Sequence, residues 1–286
     1  MCSRIQENIC GVNFVSNLIS EKKKEIDILR DYKIVQHNDF IRHPRTDKLT
    51  AKEANIVYFL MSKVKPNDDN FMTIRFTINE FCRICGDDEG NGKNYRDVKD
   101  ALKSLADKSA WVKTLTEKGK IKTTLVRWVD TYTITEGDGT VSATLSQSIK
   151  PYLLELRNNF TKAELRNFIA MKSMYSKRLY ELLRSYIHSK PEYAYRYVFK
   201  EFEIMELKRQ LNAEHYGPFK DFRVKVLEIA KREINAVSDM EMNFTAIKPR
   251  RITTHISFSI KLKDSVARAV ALEQADEVID GQMRLD

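Results

Sequence analysis

An α+β fold of two tandem winged-helix domains joined by a short linker is predicted from three observations on the 286-residue chain. Apolar residues recur at helical spacing in several separate segments, and in two of these the opposite face is basic. Each basic helix is followed by short runs that alternate apolar and polar residues around Gly, Pro or basic turns, the pattern of hairpins. The order of capped helix, short helix, basic helix and hairpin occurs once on either side of Pro151, with no sequence repeat beneath it. The expected division is an N-terminal arm or short helix over 1–32, a first domain over 33–150, a linker over 151–159, a second domain over 160–263 and a tail over 264–286.

Residues 21–31 are highly charged, with Ile26 and Leu29 at helical spacing, and the Lys22-Lys23-Lys24 run reads as solvated surface. In the first domain Thr50 and Glu53 form a capping box for a helix whose stripe is Ala54, Val57, Met61 and Val64, ending at Pro66. Thr77 and Glu80 cap a short second helix that Gly86 stops. The third helix, over 93–108, buries Tyr95, Val98, Leu102 and Leu105. Lys93 and Asn94 open it, and Arg96, Lys99 and Lys103 share another of its faces. Strands are expected over 111–115, 121–135 and 141–145, with Gly137-Asp138-Gly139 turning the last pair.

Past Pro151, Phe160-Thr161 with Glu164 suggests a capped helix start. Residues 174–187 put Tyr175, Leu179, Leu182 and Tyr186 on one face ahead of Pro191, and 202–211 supply the short helix. The most informative segment is 216–237, where Phe219, Phe222, Val226, Ala230, Ile234 and Val237 share one side and Lys220, Lys225, Lys231 and Arg232 project from the other. Two strands, 240–244 and 256–262, then flank a basic connection holding Lys248, Arg250 and Arg251. Taken alone this is equally an amphipathic surface helix followed by a hairpin. After Lys263 only a weak helical pattern, Val266, Ala269, Val270 and Leu272, remains, with no assigned role.

A net charge of +9 favours a polyanionic partner, and the cations concentrate on the expected recognition helices and wings, where a phosphate backbone would lie. Double-stranded DNA is the expected partner. The candidate contacts are Lys93, Asn94, Arg96, Lys99 and Lys103 in the first domain and Lys220, Arg223, Lys225, Lys231, Lys248, Arg250 and Arg251 in the second. No apolar run reaches membrane-spanning length and the N-terminus does not lead into a signal-peptide core, so a cytoplasmic location is expected. Cys82 and Cys85 have the spacing of half a metal site, but Cys2 and Cys10 make no second pair, and both thiols fall beside Ile78 and Phe81 as small apolar groups. Gly86 to Lys93 superficially resembles a phosphate-binding loop, with one residue too many, Asn94 where Ser or Thr belongs, and three acids. His37 and His43 are too far apart for a nickase pair. No cofactor, metal or catalytic residue is therefore expected.

Four blocks carry a family resemblance: V-Q-H-N-D-F-I at 35–41, L-T-A-K-E-A-N at 49–55, Y-S-K-R-L-Y-E-L-L at 175–183 and F-K-D-F-R-V-K-V-L-E-I-A-K-R-E-I-N at 219–235. Over about 33–263 the chain resembles the plasmid replication initiator proteins that bind iterons. The resemblance implies binding to tandem origin repeats, help in opening AT-rich DNA, and recruitment of a host replication initiator and helicase. It also implies a homodimer, formed through the first domain, that represses its own gene at an operator. A winged-helix transcriptional regulator with no initiator role is the alternative, and it would favour inverted over direct repeats.

Overall fold

A computed structural model describes residues 24–44, 47–65, 68–88, 91–116, 118–135, 137–154, 156, 158–187, 196–249 and 252–281. Helix α1 covers 24–30 and leads to β1 (Lys33–His37) and α2 (Asn38–Arg42). The first winged helix then contains α3 (Ala51–Ser62), β2 (Ile74–Thr77), α4 (Ile78–Ile84) and α5 (Gly92–Ala106). Its strands are β3 (Ser109–Leu115), β4 (Ile121–Arg127), β5 (Val129–Ile134) and β6 (Thr140–Leu145). β2, β6 and β5 form one antiparallel sheet in that order, while β3 and β4 make a separate ribbon.

Local signals set these elements. The Thr50 hydroxyl accepts from the Glu53 N–H at 3.2 Å and the Glu53 carboxylate accepts from the Thr50 N–H at 2.6 Å, closing the capping box. Such a cap is worth about 1 kcal/mol. At the end of α4, Gly86 has φ +71°. The Gly86 N–H donates to Arg83 O and the Asp87 N–H to Cys82 O, which is the paired closure of a Schellman stop. The single strand expected over 121–135 is instead broken at Trp128. Its buried indole donates to Asp47 Oδ2 at 2.9 Å, and the chain changes sheets there.

After the short helix α6 (Lys150–Leu153) come β7 (Phe160–Glu164), α7 (Leu165–Ala170) and α8 (Met174–Arg184). The capped helix expected from Phe160 is thus a strand. It pairs antiparallel with β1, from His37↔Phe160 to Lys33↔Glu164, so the chain beyond 159 returns to the first strand. Thr161 and Ala163 face inward on β7, an alternation that suits a strand offered an open edge. α7 starts only at Leu165, and Glu164 makes no side-chain cap.

The second winged helix has β8 (Val198–Glu203), α9 (Ile204–Gln210), a helix in three parts, β9 (Met240–Ile247) and β10 (His255–Leu262). The three parts are α10 (Phe219–Phe222), a π-helical turn (Arg223–Leu227) and α11 (Glu228–Val237). Strand order is β8-β10-β9, antiparallel throughout. The short helix expected over 202–211 therefore begins at Ile204, because Phe202 and Glu203 complete a third strand. Pro191, the expected helix stop, lies outside the described residues.

One continuous core joins the two units. α3 is buried from Ile56 to Ser62, more than its expected four-residue stripe, because α5, α7 and β1 pack around it. Tyr58 stacks on Phe168 with ring centroids 4.1 Å apart. The tail forms α12 (Ser265–Ile279), but its buried face is Ala271, Ala275, Val278 and Ile279. Val266 and Val270, members of the expected stripe, are exposed, since only the C-terminal half of the helix docks on α7 and α11. Arg30, nearly fully buried, donates to Ile84 O at 3.0 Å and to Asp280 Oδ1 at 2.8 Å, tying α1, α4 and α12 together.

Candidate nucleic-acid interface

In the second unit the turn between α9 and α10 is held from below. Buried Lys208 of α9 donates to Tyr216 O and, at 3.0 Å, to Gly217 O, and Asn212 takes φ +53° to let the chain reverse. Phe222, Val226, Leu227, Ala230, Ile234 and Val237 anchor the following helix in the core. Asn235 fastens it to β9 by accepting from the Met242 N–H at 2.7 Å and donating to Met242 O at 2.9 Å.

This anchoring leaves Lys220, Arg223, Val224, Lys225 and Arg232 exposed. Lys225 Nζ sits 5.9 Å from the Tyr216 ring centroid, and Arg223 Nε pairs with Glu228 Oε1 at 3.0 Å. Lys231 is half-buried and donates to Asn243 Oδ1 at 2.8 Å, which directs it along β9 and away from the outer face. Between helix and strand runs a groove of about 310 Å³ with Arg223, Lys231 and Lys248 on its walls. Lys248 is exposed where the connection to β10 starts, and Arg250 and Arg251 lie outside the described residues.

In the first unit Lys93, Arg96 and Lys103 are exposed along α5, whereas Lys99 is half-buried. Asn94 donates to Asp88 O at 3.1 Å and so closes the loop ahead of α5. The helix is positioned by Glu53, which accepts from Ser104 Oγ at 2.7 Å and Lys108 Nζ at 2.6 Å. Burial pushes the Glu53 carboxyl up, but its bonds from Lys108, Ser104 and Thr50 outweigh that and hold it below its ordinary value. One residue thus caps α3 and anchors α5. Only its capping role was visible in the sequence.

The block at 175–183 bonds to both units. Arg178 donates to Ile41 O and His43 O on one side and to Gln210 O on the other, and pairs with Glu181, which accepts from Gln36. Buried Glu233 of α11 accepts from the Ser173 N–H at 3.1 Å, at the head of α8. Cys82 and Cys85 are buried, and burial pushes the Cys85 thiol up to about 12, which keeps it protonated. Cys2 and Cys10 lie outside the described residues. Among the described residues no three His, Cys, Asp or Glu side chains are grouped to hold a metal ion, and no helix is long and apolar enough to cross a membrane.

Two family models match the chain, one described as "Initiator Replication protein, WH1" over 33–184 and one as "Initiator Rep protein, WH2" over 203–260. Among solved structures, the Pi initiator protein in complex with iteron DNA is similar at 17% identity and TM-score 0.67, over 82% of this chain and 99% of that one. The WH1 domain of MSBI1.176, a replication protein isolated from a multiple sclerosis patient, matches at 16% identity and TM-score 0.29, over 36% of this chain and 79% of that one. Domains 2 and 3 of RctB match at 12% identity and TM-score 0.44, over 74% of this chain and 82% of that one.

Proposed function

The chain belongs to the initiator replication protein family, and from that premise we propose that it starts plasmid replication by binding tandem double-stranded DNA repeats through both winged helices. The observation that carries this is the exposed face of Lys220, Arg223, Lys225 and Arg232 on a helix otherwise anchored in the core, with Lys248 beside it. Such a helix presents its N-terminal turns to a major groove while the wing meets phosphate. Lys93, Arg96 and Lys103 offer a second, weaker footprint, and linkage of the two raises affinity through effective concentration. The units are proposed to divide between 184 and 203 rather than at 151–159, because a cut at 151–159 would part β7 from β1.

A homodimer at an operator, repressing the protein's own gene, is proposed through the first unit. Trp111, Leu125 and Ile121 are 49%, 41% and 71% exposed on the β3–β4 ribbon, where Trp111 pairs directly with Leu125. Recruitment of a host initiator and helicase and a cytoplasmic location complete the proposal. The protein acts by binding, with no chemistry of its own.

The test is a binding titration on duplexes carrying direct or inverted copies of one site, paired with replication of a plasmid bearing the direct repeats. Preference for inverted repeats with no replication would favour the transcriptional regulator. Lys225→Ala is expected to weaken specific binding by about 1–3 kcal/mol while leaving the melting temperature unchanged. Lys248→Ala is expected to lower affinity equally on matched and unmatched DNA and to reduce the log–log salt slope by about one unit. An unaltered slope would mean that this loop points away from DNA.

A further inference from the structure

The helix that begins at Phe219 is not uniformly α-helical. The Glu228 N–H donates to Arg223 O, five residues back, so Arg223–Leu227 is a single widened turn. The same widening brings Arg223 Nε to 3.0 Å from Glu228 Oε1. In a regular α-helix, side chains five apart point about 140° away from each other. Around this turn Arg223, Val224 and Lys225 are exposed in succession, and Val226 and Leu227 are buried in succession. Turns of this kind concentrate at functional sites.

Val224 is the residue this turn leaves unaccounted for. It is 55% exposed, with a cation on each side in sequence. A β-branched residue adds nothing to helix propensity at such a place. Lysine and arginine suit phosphates and the acceptors of guanine, but the one apolar group a base edge presents in the major groove is the thymine 5-methyl. We infer that Val224 is a specificity-determining residue that packs on a thymine methyl, its projection set by the widened turn. The inference rests on the DNA-reading role proposed above for this helix.

The experiment uses the full-length protein and a duplex that it selects from a random pool. Each thymine of that duplex is replaced singly by deoxyuridine, which removes the methyl and keeps the pairing. At one or two positions the unaltered protein is expected to lose about fourfold in affinity, the effect of one buried methyl. Val224→Ala is expected to lose a similar factor on the thymine duplex and to be indifferent to deoxyuridine at those positions. Val224→Thr, which keeps a methyl, should retain the sensitivity, and melting curves should show all three chains equally folded. Equal deoxyuridine sensitivity in the unaltered protein and Val224→Ala at every position, or none at any position, overturns the role of Val224 alone. If the pool yields no preferred sequence, the DNA-reading proposal itself falls, and this inference with it.

Discussion

Gly86→Ala is expected to destabilise the protein by about 3 kcal/mol, at the upper end of ordinary single-site effects. The glycine ends α4 at φ +71°, and a Cβ built there would lie 1.7 Å from the carbonyl oxygen of Ile279, at the close of α12. The left-handed backbone alone accounts for roughly 1–2 kcal/mol of the loss. The remainder is steric: the end of α12 must withdraw, uncovering Val278 and Ile279 and straining the Arg30–Asp280 pair, or the Schellman stop must unwind. Urea unfolding at neutral pH measures the total. Gly86→Asn separates the two causes, because Asn tolerates positive φ and still carries a Cβ. It is expected to regain at most the backbone share of roughly 1–2 kcal/mol and to keep the steric remainder. Recovery of most of the stability in the Asn variant would show that backbone conformation, not the approach of α12, is what the glycine serves.

That contact marks the limit of what could be read along the chain. The stop at Gly86 was legible, since it depends on a few neighbouring residues, and so were the Thr50 capping box and the apolar face from Phe219 to Val237. The helix pressed against Gly86 starts 179 residues later, and its weak pattern pointed to the wrong face. β7 was misread because its partner β1 lies far upstream, and strand pairing at that separation leaves no local trace beyond alternation. β8, V-F-K-E-F-E, alternates in burial but not in hydrophobicity, since Lys200 shares a side with Val198 and Phe202, and the helix expected over 202–211 overlaps only its last two residues.

The candidate site was partly legible for a related reason. Exposed Lys220, Lys225 and Arg232 are where the helical wheel put them, because anchoring apolar residues dictate what faces out, whereas Arg223, beside the apolar stripe on that wheel, is exposed as well. Lys231 and Asn94 are not: each is tied to a neighbouring polar group, Asn243 Oδ1 and Asp88 O respectively. Lys177, Arg178 and Glu181 fall off the expected apolar stripe of Tyr175, Leu179, Leu182 and Tyr186. All three are buried, because α8 is enclosed by both winged helices.

Lys177 shows what such enclosure entails and leads to the second large effect expected. Its ammonium is fully buried and donates to Asn55 Oδ1 at 2.9 Å, Met171 O at 2.5 Å and Phe168 O, so it closes the end of α7 and fastens α8 to α3. Burial lowers its pKa from 10.5 to about 7, against the opposing pull of Cys85 and Glu233, while Lys172 lowers it further. Lys177→Met is expected to cost about 2 kcal/mol at pH 6, because three buried acceptors lose their donor and each such loss is expensive. Between pH 7 and 10.5 the unfolded chain holds this proton and the folded chain does not, so the native state gains stability as pH rises through that window. The Met variant has no such group and no such gain. Its deficit against the unaltered protein should therefore widen by about 3 kcal/mol between pH 6 and pH 9, read from urea unfolding of both chains at each pH. A deficit that stays constant would mean that Lys177 keeps its proton throughout, held by its three acceptors more strongly than burial opposes it.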